Sequence, residues 1–281
     1  MKYTTVYMKS FGYELAPNIV TTQQIEQKLT PFFDAVGFGA GLIEALTGIQ
    51  QRRFWDEDHT LAEHAATAAL KALEEADVGP DQVDAVVFCG VGQDGFEPAT
   101  SCAVADTLGV RDHCQVYDVK NACLGVITGI IQVANAIELG QIRSGLVVSC
   151  ETARQIVEST IQEINAHHDM AFYKEAVATL TGGSGAVAVL LTDGTLGAAN
   201  VREHLLKGGV VKNAIQHHGL CSWGFETPGM PTDSRVIMRT RAQGVLEHGL
   251  VLARQTFHAF KAELDLLPDQ PDKFIGHQVG S

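Results

Sequence analysis

Residues 121–125, Asn-Ala-Cys-Leu-Gly, place Cys123 where a strand turns into a buried helix. The strand-like run Cys114 to Lys120 leads in, and the apolar run Val126 to Leu139, at helical spacing, leads out. Thiolate is the reactive form of cysteine, and a helix N-terminus stabilises negative charge. The same end offers backbone N–H groups that lack intrahelical acceptors and suit a developing oxyanion. A buried structural cysteine is the plainer use of this residue type; the position on the turn argues against it. His277 is the second candidate, just past the strand-like Lys273 to Gly276. Ligands in open α/β sheets bind outside the carboxyl ends of strands. If the chain contains two related halves packed by pseudo-symmetry, His277 and Cys123 face one cleft, the pairing that covalent catalysis needs.

A competing motif lies between them. Gly90-Val91-Gly92-Gln93-Asp94-Gly95 fits G-x-G-x-x-G after a strand, and Asp118 ends the next strand, where a ribose-binding acid is expected. Glu97-Pro98 delays the following helix and adds a negative charge where a pyrophosphate would sit. The dinucleotide reading is therefore the weaker one. His167-His168-Asp169 and His217-His218 are adjacent rather than three or four apart, so their rings diverge on a helix. Solvated loops are expected at both, and no metal site. Gly182 to Ala186 precedes a strand, which points to a tight backbone crossing and not to phosphate binding.

The elements that must position these residues alternate in type. A helix is predicted over Thr60 to Ala76, a buried strand over Val83 to Gly90, a helix over Ala99 to Leu108, then the Cys123 strand and helix. Strands follow at Gly145 to Ser149 and Ala186 to Leu191, with a helical but interrupted Gln155 to Leu180 between them. This rhythm predicts an α/β fold with a mostly parallel sheet. A long helix over Arg239 to Leu264, a Pro-Asp turn and the strand Lys273 to Gly276 echo the order of Thr60 to Gly90. Two halves are expected, 1–193 and 194–281, the second truncated by comparison with the first.

Composition sets the outer limits. Of the 281 residues 46% are hydrophobic and 19% charged, as in a well-packed globular protein. A net charge of −13 argues against nucleic acid and anionic membranes as partners. The six cysteines form no C-x-x-C pair and read as reduced thiols of a cytoplasmic protein. No signal peptide and no membrane span are expected, because Gln132 and Asn135 interrupt the longest apolar helix.

Four motifs in order resemble the thiolase superfamily, on its ketosynthase III branch. Thr47-Gly48-Ile49 with Arg52-Arg53 is similar to the early T-G-I-x-x-R motif, and Asp118 to Gly125 to the nucleophile segment. Gly182 to Ala188 resembles the G-x-G-A-V stretch, and His277-Gln278 the H-Q motif. The resemblance implies a five-layer αβαβα sandwich of two pseudo-repeated halves, a homodimer and a Cys-His-Asn site. It places the Asn in a G-N-T-like motif beyond Ser281. Chain-initiating β-ketoacyl-ACP synthases III usually carry Phe before Pro98, and Trp and Arg at the places of Leu42 and Leu46. Glu97 is instead similar to the OleA-type thiolases of long-chain olefin synthesis, which join two fatty acyl-coenzyme A molecules head to head into a β-keto acid.

That resemblance implies roles. Cys123 is acylated, His277 polarises the thioester carbonyl, and Glu97 reaches across the dimer to remove the α-proton of the second substrate, its pKa raised by burial. Substrates are fatty acyl-coenzyme A or acyl-ACP thioesters, and no cofactor is expected. The alternatives are decarboxylative condensation with malonyl-ACP, or an inactive thiolase-fold binding protein.

Overall fold

The computed structural model describes residues 1–197, 204–225, 236–267 and 270–277. In chain order it forms β1 (Tyr7–Leu15), β2 (Asn18–Thr21), α1 (Thr22–Lys28), α2 (Thr30–Val36), α3 (Leu42–Thr47) and β3 (Gln51–Phe54). Next come α4 (Leu61–Ala76), β4 (Ala85–Cys89), α5 (Thr100–Leu108), β5 (Gln115–Val119), α6 (Gly125–Glu138) and β6 (Ser144–Glu151). The remainder is α7 (Arg154–His167), α8 (Met170–Ala176), β7 (Gly185–Thr192), β8 (His204–Leu205), β9 (Cys221–Phe225), β10 (Val236–Thr240) and α9 (Ala242–Glu263). Two compact units share these elements. The first comprises residues 1–17, 55–152 and 184–209; the second comprises 18–54, 153–183 and 210–281.

The first unit is built on a sheet in the order β5-β4-β6-β7-β1-β8. Period-two alternation divides its side chains between two cores. Val86 and Phe88 of β4 join Leu146 and Val148 of β6 under α4 and α5. Val87 and Cys89 join Val147, Val189 and Leu191 under α6. Both faces are thus covered by helices, and β4 is buried along its whole length. Full burial of each such Val or Leu contributes about 1.5–3 kcal/mol. The sheet is mixed, contrary to the mostly parallel expectation. β4 pairs in parallel with β5 and β6, whereas β7 runs antiparallel to both β6 and β1, and β8 antiparallel to β1. The reason is that α7 and α8 belong to the second unit. Their apolar residues go to the second unit's core, so they are not the crossover helix that a parallel β6–β7 pair requires.

Local chemistry explains the helix ends. Thr60 and Glu63 form a capping box at the start of α4, and Asp77 closes it in the left-handed conformation. His168 ends α7 the same way, while the Asp169 carboxylate accepts the Ala171 N–H to start α8. The His167-His168-Asp169 interruption is therefore a pair of helix caps.

The second unit holds the antiparallel strand pairs β2–β3 and β9–β10, and a core of Ile25, Leu29, Phe32 and Phe54 with Val157, Ile161, Ile164, Tyr173 and Leu180. Helix α9 matches the predicted long helix. The strand expected over Lys273 to Gly276 does not form: these residues are irregular, with Phe274 69% and Ile275 97% exposed. An apolar run becomes a strand only when a ladder partner is present, and among the described residues this one has none.

The first unit is tied at its beginning by Glu138, the last residue of α6. Its carboxylate accepts the Thr4 and Thr5 N–H groups and both hydroxyls, at 2.7–3.1 Å. The Thr4 hydroxyl, then the N–H groups, hold the carboxyl at about 2, below its ordinary 4.5. A depressed carboxyl stabilises the fold above its unfolded value, and the contribution is lost as pH falls through the folded one. The melting-temperature gap between the parent and Glu138→Ala is therefore expected at full size above about pH 4.5, shrinking toward about pH 2. A gap that stays constant over that range would show that the charge contributes nothing.

Candidate active site at the carboxyl end of the first sheet

The chain between β5 and α6 makes a single 3-10 turn, Ala122–Leu124, with Cys123 in its middle and exposed. Leu124 N–H donates to Asn121 O at 3.0 Å. The Cys123 N–H precedes that first bond, at an end where orphan donors gather. Ala122 holds a φ of 45°. A non-glycine residue in that region costs roughly 1–2 kcal/mol, so strain sits beside the cysteine. The turn is braced from behind. Asn121 Nδ2 donates to Thr128 Oγ1 at 2.8 Å, and Thr128 Oγ1 donates to Leu124 O at 2.8 Å. Helix α6 can begin this close to the sheet because Gly125 has no side chain: a Cβ there would stand 2.9 Å from Gly90 N.

The glycine loop after β4 is spoken for by internal groups. The Glu151 carboxylate, at the end of β6, accepts the Val91 and Gly92 N–H groups at 2.7 and 3.2 Å. Gly90 has a φ of 151°, and a Cβ there would collide with Glu151. Partial burial pushes the Glu151 carboxyl above its ordinary value, against the pull of the two N–H groups and the Lys120 ammonium. Lys120 Nζ donates to Gly92 O at 2.7 Å. Asp94 accepts Leu61 and Ala62 N–H at 2.7 and 3.0 Å, capping α4, and Asp118 accepts Thr100 and Ser101 N–H at 2.9 Å each, capping α5. The N–H groups that would cradle a pyrophosphate and the acid that would hold a ribose are thus occupied. The dinucleotide reading fails on that geometry.

Glu97 lies on the same loop, exposed, between Phe96, itself 74% exposed, and Pro98, with a cis Glu97–Pro98 peptide bond. The burial expected for Glu97 is absent in the single chain. Among the described residues its carboxylate has no hydrogen-bond or ion-pair partner. The structure therefore places the Glu97 loop and the Cys123 turn at the same end of adjacent strands β4 and β5, joined at their roots by the Lys120–Gly92 bond. His277 belongs to the second unit and is exposed; Gln278 of the H-Q pair lies outside the described residues. His217 is not simply solvated, since its ring stacks on His248 of α9 at 3.7 Å, whereas His218 is exposed. Among the described residues no three His, Cys, Asp or Glu side chains are grouped to hold a metal, and no helix is long and apolar enough to cross a membrane.

Sequence reasoning missed Glu151 and the role of Lys120. A charged residue at or just past the carboxyl end of β5 and of β6 is the signal that could have marked them.

The cysteines differ sharply in environment, and all are free. Burial pushes the Cys89 and Cys150 thiols up to about 12 and Cys114 to about 11. Native protein treated with limiting iodoacetamide near about pH 8 is expected to be labelled at Cys123 and not at Cys89, Cys114 or Cys150. Peptide mapping by mass spectrometry reads the result. Labelling of the buried thiols ahead of Cys123 would remove the case for Cys123 as an accessible nucleophile.

A model of the thiolase N-terminal domain matches residues 45–200. The acyl-CoA:acyl-CoA alkyltransferase of Shewanella oneidensis is 47% identical over 281 residues, covering 100% of this chain and 80% of that protein. The protein of the same name from Xanthomonas campestris is 32% identical over 280 residues, covering 99% of this chain and 79% of its own length. The crystal structure of cerulenin-bound Xanthomonas OleA superposes with a TM-score of 0.90 at 32% identity, over 100% of this chain and 78% of that one. A cysteine-to-serine variant of that protein with bound lauric acid and lauroyl-CoA gives 0.88 at 31% identity, over 99% and 79%. With the strand-to-helix cysteine turn, these likenesses show that the chain belongs to the thiolase superfamily, with the OleA-type acyl-CoA:acyl-CoA alkyltransferases.

Proposed function

We propose that this protein is an acyltransferase that condenses two fatty acyl-coenzyme A molecules head to head into a β-keto acid. The observation that carries the reading is the exposed Cys123 on its strained turn, in a chain 47% identical to an acyl-CoA:acyl-CoA alkyltransferase. The Cys123 thiolate attacks the first thioester carbonyl and expels coenzyme A, which leaves as thiolate and takes up a proton. The Cys123 N–H supports the oxyanion, and the family resemblance assigns His277 to polarising the carbonyl. Glu97 then removes an α-proton from the second acyl-coenzyme A. The resulting enolate attacks the acyl-cysteine, forming the carbon–carbon bond and releasing the Cys123 thiolate. Water cleaves the remaining thioester to give the β-keto acid and coenzyme A. The reaction needs no metal or redox cofactor, and no malonyl or ACP-bound donor.

The reading includes a homodimer, because Glu97 works best where the site is dry. Strand β5 is an edge of its sheet and leads directly into the Cys123 turn; an unpaired edge is a template for a second strand. Phe96 and Glu97 are exposed together, as expected for residues covered by a second copy. Solved variants of Xanthomonas OleA replace a cysteine, a glutamate or a histidine of that protein. The glutamate and cysteine there are separated by as many residues as Glu97 and Cys123 are here. The pseudo-repeat of 1–193 and 194–281, and a cytoplasmic location, belong to the same proposal.

Two variants test the chemistry in the intact protein. Cys123→Ala is expected to abolish both acylation, seen as a mass shift with lauroyl-CoA, and condensation, whereas Cys114→Ala leaves both. Glu97→Gln is expected to keep acylation and to lose condensation by roughly 10²–10⁴-fold. Subunit exchange between the two then tests delivery across the dimer. The mixed dimer has one site with an intact Cys123 and, if Glu97 acts in trans, an intact Glu97 from the other subunit. Condensation should return in the mixture. No recovery would place Glu97 in the site of its own chain.

A further inference from the structure

The loop that carries Glu97 has a fixed root and an open tip. At the root, the Val91 and Gly92 N–H groups donate to the Glu151 carboxylate, and Lys120 Nζ donates to the Gly92 carbonyl at 2.7 Å and approaches the Val91 carbonyl at 3.5 Å. Both backbone groups of these residues are therefore held by charged side chains from two other strand ends. Such charge-assisted bonds are about twice as strong as neutral ones. Two residues on, Asp94 is fixed to the start of α4, and its own N–H donates to Thr100 Oγ1 at 3.3 Å. Beyond that point Gly95, Phe96 and Glu97 are exposed. Glu151 is itself fixed, because the buried Trp55 donates its Nε1 to the Glu151 carbonyl at 3.1 Å. Lys120 stands three residues before Cys123 and thus ties the root of the Glu97 loop to the nucleophile turn.

We propose that Lys120 and Glu151 are positioning residues for the carbon–carbon bond-forming step, clamping the Val91–Gly92 root so that Glu97 is presented in one orientation. The inference rests on Glu97 being the base. Neither residue touches substrate in this scheme; each acts through the loop. A reacting group displaced by about 1 Å loses about 10²-fold in rate, and that is the effect a released root should have.

The test uses the intact protein with lauroyl-CoA and measures Cys123 acylation and condensation separately. Lys120→Met is expected to acylate within about threefold of the parent and to condense about 10²-fold more slowly. Lys120→Arg, which can donate to the same carbonyls, should recover most of the loss. Glu151→Gln, which keeps an acceptor oxygen without the charge, should fall between them. The deciding measurement is a double-mutant cycle. On the Glu97→Gln background, Lys120→Met should cost less than about twofold more, because a residue that acts only through Glu97 has nothing left to position. A full multiplicative loss there would overturn the proposal, as would acylation, condensation and melting temperature falling together. Parent-rate condensation by Lys120→Met alongside a large loss in Glu97→Gln would overturn the positioning role and leave the base standing. Parent-rate condensation by Glu97→Gln would remove both.

Discussion

Three internal carboxylates, Asp94, Asp118 and Glu151, take up the orphan N–H groups at the carboxyl end of the first unit's sheet. Two of them start helices: Asp94 receives the first N–H groups of α4 and Asp118 those of α5. The third fills the concavity of the glycine loop. An unpaired buried N–H is costly, and a carboxylate is the strongest available acceptor. In a protein with a net charge of −13, this is where several of its acids do structural work. Their placement fixes where α4, α5 and the loop begin, and so fixes the surroundings of the turn at this end that carries the exposed Cys123.

Seen this way, the same end of the sheet contains two kinds of helix start. Helix α5 begins with its N–H groups on a carboxylate of the same chain. The turn before α6 begins with no acidic residue in its first turn and an exposed cysteine instead. A negative charge placed there by the protein would compete with a thiolate or an oxyanion for the same donors. The chain supplies acids to the starts of α4 and α5 and none to this turn, which leaves its orphan donors free of an internal carboxylate.

The elements legible in the sequence were those whose signals are local. The α4 boundaries follow from Thr60, Glu63 and Asp77, and the Cys123 turn from an apolar strand meeting an apolar helix. The sense of the strands was not legible, because β6 and β7 are joined through helices with the ordinary look of a crossover, and nothing in α7 or α8 says which core will take them. The Lys273 to Gly276 run had the residue types of a strand, yet pairing is a property of neighbours and not of the run. Glu97 could be singled out only through resemblance, since an exposed loop carboxylate has no distinguishing composition. Glu151 and Lys120 went unnoticed for the opposite reason: their partners are backbone groups of Val91 and Gly92, far away in sequence, and backbone groups leave no trace in residue type.

The open tip and the fixed root of the Glu97 loop belong together. In the proposed mechanism Glu97 acts across a dimer, and its exposure in the single chain ends where a second copy covers it. Exposure alone would leave its carboxylate mobile and strongly hydrated, which suits neither proton transfer nor a fixed approach to an α-carbon. Anchoring the backbone at Val91, Gly92 and Asp94 while leaving Phe96 and Glu97 outside resolves that conflict. The charged anchors also account for the loop's phosphate-turn glycine pattern: Gly90 is required because Glu151 occupies the space a Cβ would take, and the Glu151 carboxylate takes the Val91 and Gly92 N–H groups.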